Sequence, residues 1–206
     1  MATQAQTAEQ ALTAQEKIQK LQELYADAPE ISKKALENVL RELTSQVSVT
    51  PPPPIESAGR AGSRLGKVSE LTLIIPLVPG GARRLRAFLR LLGGNLNGAD
   101  KVGTVHDMRF VFLDNDTKFL FATAYDGQWD PYIDDFATKI PDEMDVIFSA
   151  FEGWPGIHSP DVKDWIADHQ IVAEGWYVAH PDLTVAEIGR QKRVNQAVEE
   201  FLDKIG

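Results

Sequence analysis

The sequence contains no cysteine, and this absence excludes several kinds of chemistry at once. Its 206 residues can form no disulfide, thiol nucleophile, cysteine-ligated zinc site or iron–sulfur cluster. No run approaches the roughly 18 apolar residues of a membrane-spanning helix. The N-terminal MATQAQTAEQ has no basic stretch followed by an apolar core. The sequence therefore predicts a soluble, cytoplasmic protein without a membrane span.

Common catalytic signatures are missing as well. No serine occupies a GxSxG motif, and no glycine-rich loop carries a phosphate-binding lysine. The four histidines form neither HxxxH nor HExxH, so no metal site is predicted and no cofactor can be assigned. Asp114 and Asp116 lack the glycine and distant glutamate of a calcium-binding loop. They predict a hairpin turn, because Asp and Asn tolerate a positive φ.

Charge is distributed unevenly along the chain, whose formal net charge is −9. Residues 51–100 carry 7 basic and 3 acidic side chains, whereas residues 101–206 carry 9 and 20. An acidic body repels phosphate backbones, so nucleic acid is not expected as a partner. The basic middle section is typical of a solvated helix face, although it could also dock an anionic partner or the chain's own acidic half.

Composition divides the chain into four parts. Residues 1–12 are polar and predict a disordered tail. Residues 13–46 repeat apolar side chains at spacings of three and four, interrupted at Pro29, and predict a helical hairpin. Residues 47–64 combine a proline run with SAGRAGS and predict a linker. Residues 65–206 form the main domain.

The main domain predicts an α+β fold. Its segments read as strand 69–77, helix 82–92, strands 104–113 and 118–124, helices up to 168, strand 171–179 and a final helix from 184. This order is the split βαβ of a ferredoxin-like domain, with a four-stranded antiparallel sheet and helices on one face. The open apolar face of such a sheet is commonly buried by a second subunit, so a homodimer is expected.

Three residues are candidates for a catalytic or binding site. Strand alternation places His106 on the same face as Met108, and Arg109 on the opposite face. His106 either forms a local hydrogen bond or lines a cavity, where it could act as an acid or base. Asp126 ends a strand before Gly127 and either caps the next helix or orients a substrate.

Five segments of the main domain have a recognisable pattern: LTLIIPLVPGG, VGTVHDMRFVFLD, FATAYDGQWDPYIDDF, EGWPG and AEGWYVAHPDLTVAEI. They lie within the main domain, and the resemblance that they carry covers about Leu65 to Leu202. They resemble an uncharacterised bacterial family that is similar to the dimeric α/β-barrel superfamily, which includes dye-decolourising peroxidases. The resemblance implies a ferredoxin-like dimer and suggests an oxidoreductase.

Haem is a cofactor within that superfamily, but the motifs here depart from the haem pattern. In the peroxidases the aspartate over the haem belongs to a GxxDG-type motif, and the preceding glycine is absent before Asp126 and Gly127. The chain is also too short for the two ferredoxin-like repeats of those enzymes. Haem peroxidase activity is therefore not implied.

Two functions from different classes are open. The first is a small oxidative or lyase-like enzyme that acts on an apolar or aromatic molecule in a cavity near His106, with Arg109 or Asp126 orienting the substrate. The second is a non-catalytic dimeric module that docks a partner protein through residues 13–46. The resemblance favours the first, and the tethered amphipathic hairpin favours the second.

Overall fold

The chain divides into two compact units, Met1–Pro52 and Pro53–Gly206. A computed structural model describes residues 13–45, 54–94, 96 and 98–205. The predicted tail at 1–12 and residues 46–53, which include most of the proline run, lie outside the described residues.

Within residues 13–45, the first unit forms two helices, α1 (Ala14–Leu24) and α2 (Glu30–Ser45). A capping box begins α1: the Thr13 hydroxyl accepts the Glu16 N–H at 3.3 Å, and the Glu16 carboxylate accepts the Thr13 N–H at 2.8 Å. The helices follow the predicted periodicity. Apolar side chains of this unit are nevertheless exposed, with Ile31 80% and Leu43 63% accessible.

The second unit contains six strands and the other six helices of the described residues. They are β1 (Ile55–Ser57), β2 (Ser63–Leu65), β3 (Val68–Pro76), α3 (Gly81–Leu91), α4 (Ala99–Val102), β4 (Val105–Leu113), β5 (Lys118–Asp126), α5 (Trp129–Lys139), α6 (Pro141–Phe148), α7 (Val162–His169), β6 (Gln170–Ile171) and α8 (Val185–Ile205). The predicted α+β class is confirmed, but the sheet has six antiparallel strands where four were predicted.

The strands form one open antiparallel sheet in the order β1-β2-β3-β5-β4. The long pairing of β3 with β5 runs from Val68 opposite Asp126 to Pro76 opposite Lys118. β6 pairs with β3 at Thr72 and Leu73. These residues follow Val68 and Ser69, the residues of β3 that pair with β2. The strand predicted at 171–179 is therefore only two residues long, and beyond it Val172 is 55% exposed and Tyr177 87% exposed.

The predicted linker is corrected over residues 55–64, where β1 and β2 form a hairpin on the edge of the sheet. Ile55 is paired with Leu65, and the Arg64 guanidinium donates to the Glu56 carboxylate at 2.6 Å. The glycines of SAGRAGS have φ of +122° at Gly59 and +83° at Gly62. They provide turn geometry that other residues adopt with strain, so the segment is ordered even though its composition is typical of a flexible linker.

The core lies on the helical face of the sheet. Its strand contributors alternate along β3 and β5 and include Leu71, Leu73, Ile75, Phe119 and Phe121, each at most 4% exposed. The predicted turn between β4 and β5 is confirmed, since Asp114, Asn115 and Asp116 all have positive φ. This turn brings β4 alongside β5 and sets Met108 and Phe110 against the core.

Candidate functional site

A cavity of about 290 Å³ lies between the helical face of the sheet and helices α3, α5 and α6. Its described lining is almost entirely apolar: Phe88, Leu92, Leu96, Gly98, Ala99, Lys101, Met108, Phe110, Phe121, Phe136, Ile140, Glu143, Met144, Ile147 and Phe148. Small-molecule sites are typically apolar clefts of about 300–1,000 Å³ with a few polar groups. The cavity therefore has the character of a small-ligand site at the low end of that range.

The bend between α5 and α6 forms one wall of the cavity. A residue that precedes proline avoids helical geometry, and Ile140, with φ −142° and ψ 48°, ends α5 immediately before Pro141 begins α6. Met144, Ile147 and the preceding Ile140 all line the cavity. The strands supply the opposite wall through alternating inward side chains.

Aromatic contacts hold several of the lining rings in place. The ring centroids of Phe110 and Phe121 lie 5.4 Å apart, and those of Phe121 and Phe148 lie 5.8 Å apart in an edge-to-face arrangement. Such pairs contribute about 0.5–1.5 kcal/mol beyond their buried area. These contacts order the wall against which a ligand would pack.

An ion pair marks the polar end of the cavity. Lys101 Nζ lies 3.0 Å from Glu143 Oε1, with side chains 63% and 41% exposed. The hydrogen bond from Lys101 holds the pKa of Glu143 below its ordinary value. Nearby, Lys139 donates to the carbonyl of Val102 at 2.9 Å and ties α5 to the end of α4. Among the described lining residues only Lys101 and Glu143 are ionisable, so the rest of the described lining offers apolar contact.

The structure brings together two of the three predicted site residues. His106 Nε2 lies 2.7 Å from Asp126 Oδ1, where the ring N–H donates to the carboxylate. The second carboxylate oxygen of Asp126 accepts the backbone N–H of Val185 at 3.0 Å. Asp126 thus connects β4 and β5 to the first turn of α8.

Arg109 is placed differently from the other two. Its guanidinium pairs with Asp107 at 2.9 Å, and the two side chains are 67% and 51% exposed. The described residues that line the cavity include neither Arg109 nor His106 nor Asp126. The predicted residues and the cavity are therefore separate features of this unit.

A register shift between Val105 and Asp107 corrects the expected face of His106. An extra residue in one strand changes the alternation of side chains. Val105 and Met108 both pack against the core, which strict alternation would forbid. His106 is consequently not held on the Met108 face and reaches Asp126 instead.

Sequence reasoning missed the cavity because its lining residues are the apolar positions of ordinary amphipathic elements. Periodicity predicts that such residues are buried, but not whether the space between them is filled. One signal was available in composition. Both internal methionines, Met108 and Met144, line the cavity, and methionine is common at adaptable binding surfaces.

Within the described part of the chain, no helix combines the length and apolarity needed to cross a membrane, and no cluster of three or more histidines, aspartates or glutamates could hold a metal ion. Comparison with family models, with curated proteins and with solved structures finds no match to this chain.

Proposed function

We propose that this protein binds an apolar or aromatic small molecule in the cavity between the sheet and helices α3, α5 and α6. The observation that carries the proposal is a cavity of about 290 Å³ whose described lining holds one ion pair among otherwise apolar residues. Transfer of apolar surface from water contributes about 25 cal/mol per Å². The ligand is expected to place its apolar body inside and any polar group near Lys101 and Glu143.

An enzymatic role for His106 is a further proposal. Its support is the hydrogen bond to Asp126, an arrangement in which a carboxylate orients an imidazole for proton transfer. Arg109 pairs with Asp107 instead, and a substrate in the cavity would not touch His106, Asp126 or Arg109. We therefore place ligand binding before oxidative or lyase-like catalysis.

Haem does not fit the lining of this cavity. Haem iron is held by histidine, cysteine or tyrosine, or by methionine together with histidine. The described lining contains methionine but no histidine, tyrosine or cysteine. We therefore derive no role for haem.

We also propose that β3 to β6 form a ferredoxin-like unit to which β1 and β2 add an edge hairpin. Its support is the neighbour order β6-β3-β5-β4, all antiparallel, with α3 between β3 and β4 and helices α5 to α7 between β5 and β6. A homodimer through the open face of this sheet remains part of the proposal.

A second candidate function is docking of a partner protein through the N-terminal hairpin. Leu24, Ile31 and Leu43 are 66%, 80% and 63% exposed. Exposed apolar stripes of this kind are typical of helix-mediated recognition.

Fluorescence of N-phenyl-1-naphthylamine, an uncharged aromatic probe, tests the binding function. We expect saturable enhancement with the wild-type chain. Ala99→Phe places a ring in the cavity and should weaken binding by about tenfold, or ~1.4 kcal/mol.

Val146→Phe is the matched control, because Val146 lies on α6 but is 51% exposed and is not one of the lining residues. It should bind the probe like the wild type, and both variants should retain cooperative thermal unfolding. Equal probe binding by all three proteins, or none by the wild type, contradicts the proposal.

A further inference from the structure

A second, smaller void of about 10 Å³ lies behind the cavity, deeper in the core. It is lined by Leu71, Leu73, Phe121, Tyr132, Ile133, Phe136, Met144, Phe148 and Ile166. Four of these residues, Phe121, Phe136, Met144 and Phe148, also line the cavity. A single layer of side chains therefore separates the two spaces.

Three members of this layer are held by ring contacts. Phe121 and Phe148 pack edge to face at 5.8 Å, and Phe136 packs against Tyr132 at 4.9 Å. Phe121, Phe148 and Phe136 are all buried. Moving any of these rings would break packing on several sides, because close-packed interiors transmit such displacements.

Met144 differs from the three rings. It is unbranched with three rotatable side-chain bonds, whereas a phenylalanine ring has two. It lies on the first turns of α6, and with an exposed fraction of 8% it is the most accessible member of the layer. A rotamer change of Met144 can therefore join the cavity and the void without displacing a ring.

Building on the proposed function, we propose that Met144 is a movable partition that lets the cavity accept an elongated, unbranched apolar chain. The polar end of the chain lies near Lys101 and Glu143, and its terminal methyl group enters the space behind Met144. That space of about 10 Å³ is close to the size of one water molecule, so it suits one terminal carbon. Ile166, Leu71 and Leu73 close that space. These three residues limit the length of the longest ligand that fits. Met144 determines the ligand length above which its own side chain must change rotamer.

Displacement of N-phenyl-1-naphthylamine by a series of straight-chain primary alcohols tests this inference. Each added methylene that is buried should tighten binding by about fourfold. With the wild-type chain this gain should continue past the length that fills the cavity alone. With Met144→Ile, which is similar in volume but β-branched and stiff, the gain should stop about one carbon earlier.

Val146→Ile is the matched control. Val146 lies on the same helix but is about half exposed and lines neither the cavity nor the void, so the chain-length profile of this variant should match the wild type. Met144→Ala acts in the opposite direction, because it removes the partition. Alcohols longer than the cavity alone should bind more tightly to it than to the wild type, while the greatest length stays the one that Ile166, Leu71 and Leu73 set. Its thermal melt shows whether it remains folded.

The outcomes separate this inference from the proposed function. If the wild-type chain does not bind the probe, the proposed function fails and the inference fails with it. If the probe binds and the alcohols displace it, but Met144→Ile and the wild type share one chain-length profile, the inference alone is overturned.

Discussion

At the residue scale, the contact between His106 and Asp126 has a clear structural role. Asp126 accepts hydrogen bonds from the His106 ring and from the Val185 backbone N–H. The side chains of His106 and Asp126 are 17% and 11% exposed. A partly buried acceptor that loses its donor incurs a desolvation cost. The pair therefore fixes the end of the sheet against α8.

His106→Phe tests this role directly. We expect it to lower the free energy of unfolding by about 1–3 kcal/mol, because Asp126 loses a donor in a partly buried site. Probe binding should be unchanged, since His106 is not one of the lining residues of the cavity. Urea unfolding and N-phenyl-1-naphthylamine titration measure the two effects.

The exposed His180 provides the control for this substitution. His180→Phe should change the unfolding free energy by no more than about 0.5 kcal/mol. A variant of His106 that keeps full stability but loses probe binding would contradict the structural role and favour the functional one.

The sequence predicts which residues are site candidates better than it predicts the face of the strand on which their side chains lie. The sequence predicts His106 and Asp126 as candidates, but a register shift between Val105 and Asp107 decides that they meet. One extra residue in a strand moves a side chain to another face, and strict alternation does not reveal it. Strand periodicity alone could not have indicated the contact with α8.

At the element scale, α8 is attached to the sheet mainly through its first turn. Glu187 accepts from the Thr184 N–H at 2.7 Å and from Lys67 Nζ at 2.7 Å. From Arg190 to Ile205 every residue is exposed. The contacts of Glu187, together with that of Asp126, therefore determine how firmly this helix is held.

Acidification should loosen α8 because of Glu187. The hydrogen bond from Lys67, followed by those from Thr184, lowers the pKa of Glu187 from 4.5 to about 2. A carboxyl group whose pKa is lowered on folding contributes stability above the unfolded value, and this stability is lost as the pH falls through the folded value. The contribution should be complete above pH 4.5 and disappear towards pH 2.

Denaturation midpoints of the wild type and Glu187→Gln, compared at several pH values, measure this effect. The wild type should be the more stable near neutral pH, and the two should converge as the pH falls from 4.5 to 2. Glu199→Gln, an exposed change on the same helix, should follow the wild type throughout. A difference between wild type and Glu187→Gln that is constant with pH would refute the assignment.

The long elements could be predicted from the sequence, whereas the short ones could not. Helix periodicity and strand composition located β3, β4, β5 and α8, because each buries or pairs many residues. β1 and β6 have three and two residues, too few to show a period. Their pairing depends on neighbouring strands that a local pattern does not contain.

At the scale of the whole molecule, the α+β class follows from element order, but the cavity does not. The cavity depends on how far α3, α5 and α6 stand from the sheet, which is a property of their joint packing. An apolar residue has the same sequence pattern whether it touches a neighbour or lines an empty space. The sequence could therefore suggest an apolar ligand class only through resemblance, and it could not locate the cavity.

The outward face of the sheet presents an apolar row, which the proposed dimer would bury. Val111 and Ile74 flank Leu120 on adjacent strands, and Val111 is 43% exposed. Beyond β3, Ile171 of β6 is 47% exposed. Apolar surface of this kind is commonly covered by an identical surface across a two-fold axis, and two sheets can pack face to face about 10 Å apart.

Light scattering of the full chain at micromolar concentration should accordingly show a dimer. Val111→Lys should weaken the association by at least about tenfold, because each copy would bury an unpaired ammonium group. Val146→Lys is the control, since Val146 is 51% exposed on α6 and lies away from the row. A monomeric wild type would contradict the proposed dimer outright. A dimer that survives Val111→Lys but dissociates on Ile31→Lys would assign the contact to the N-terminal hairpin, because Ile31 is the most exposed of its large apolar side chains at 80%.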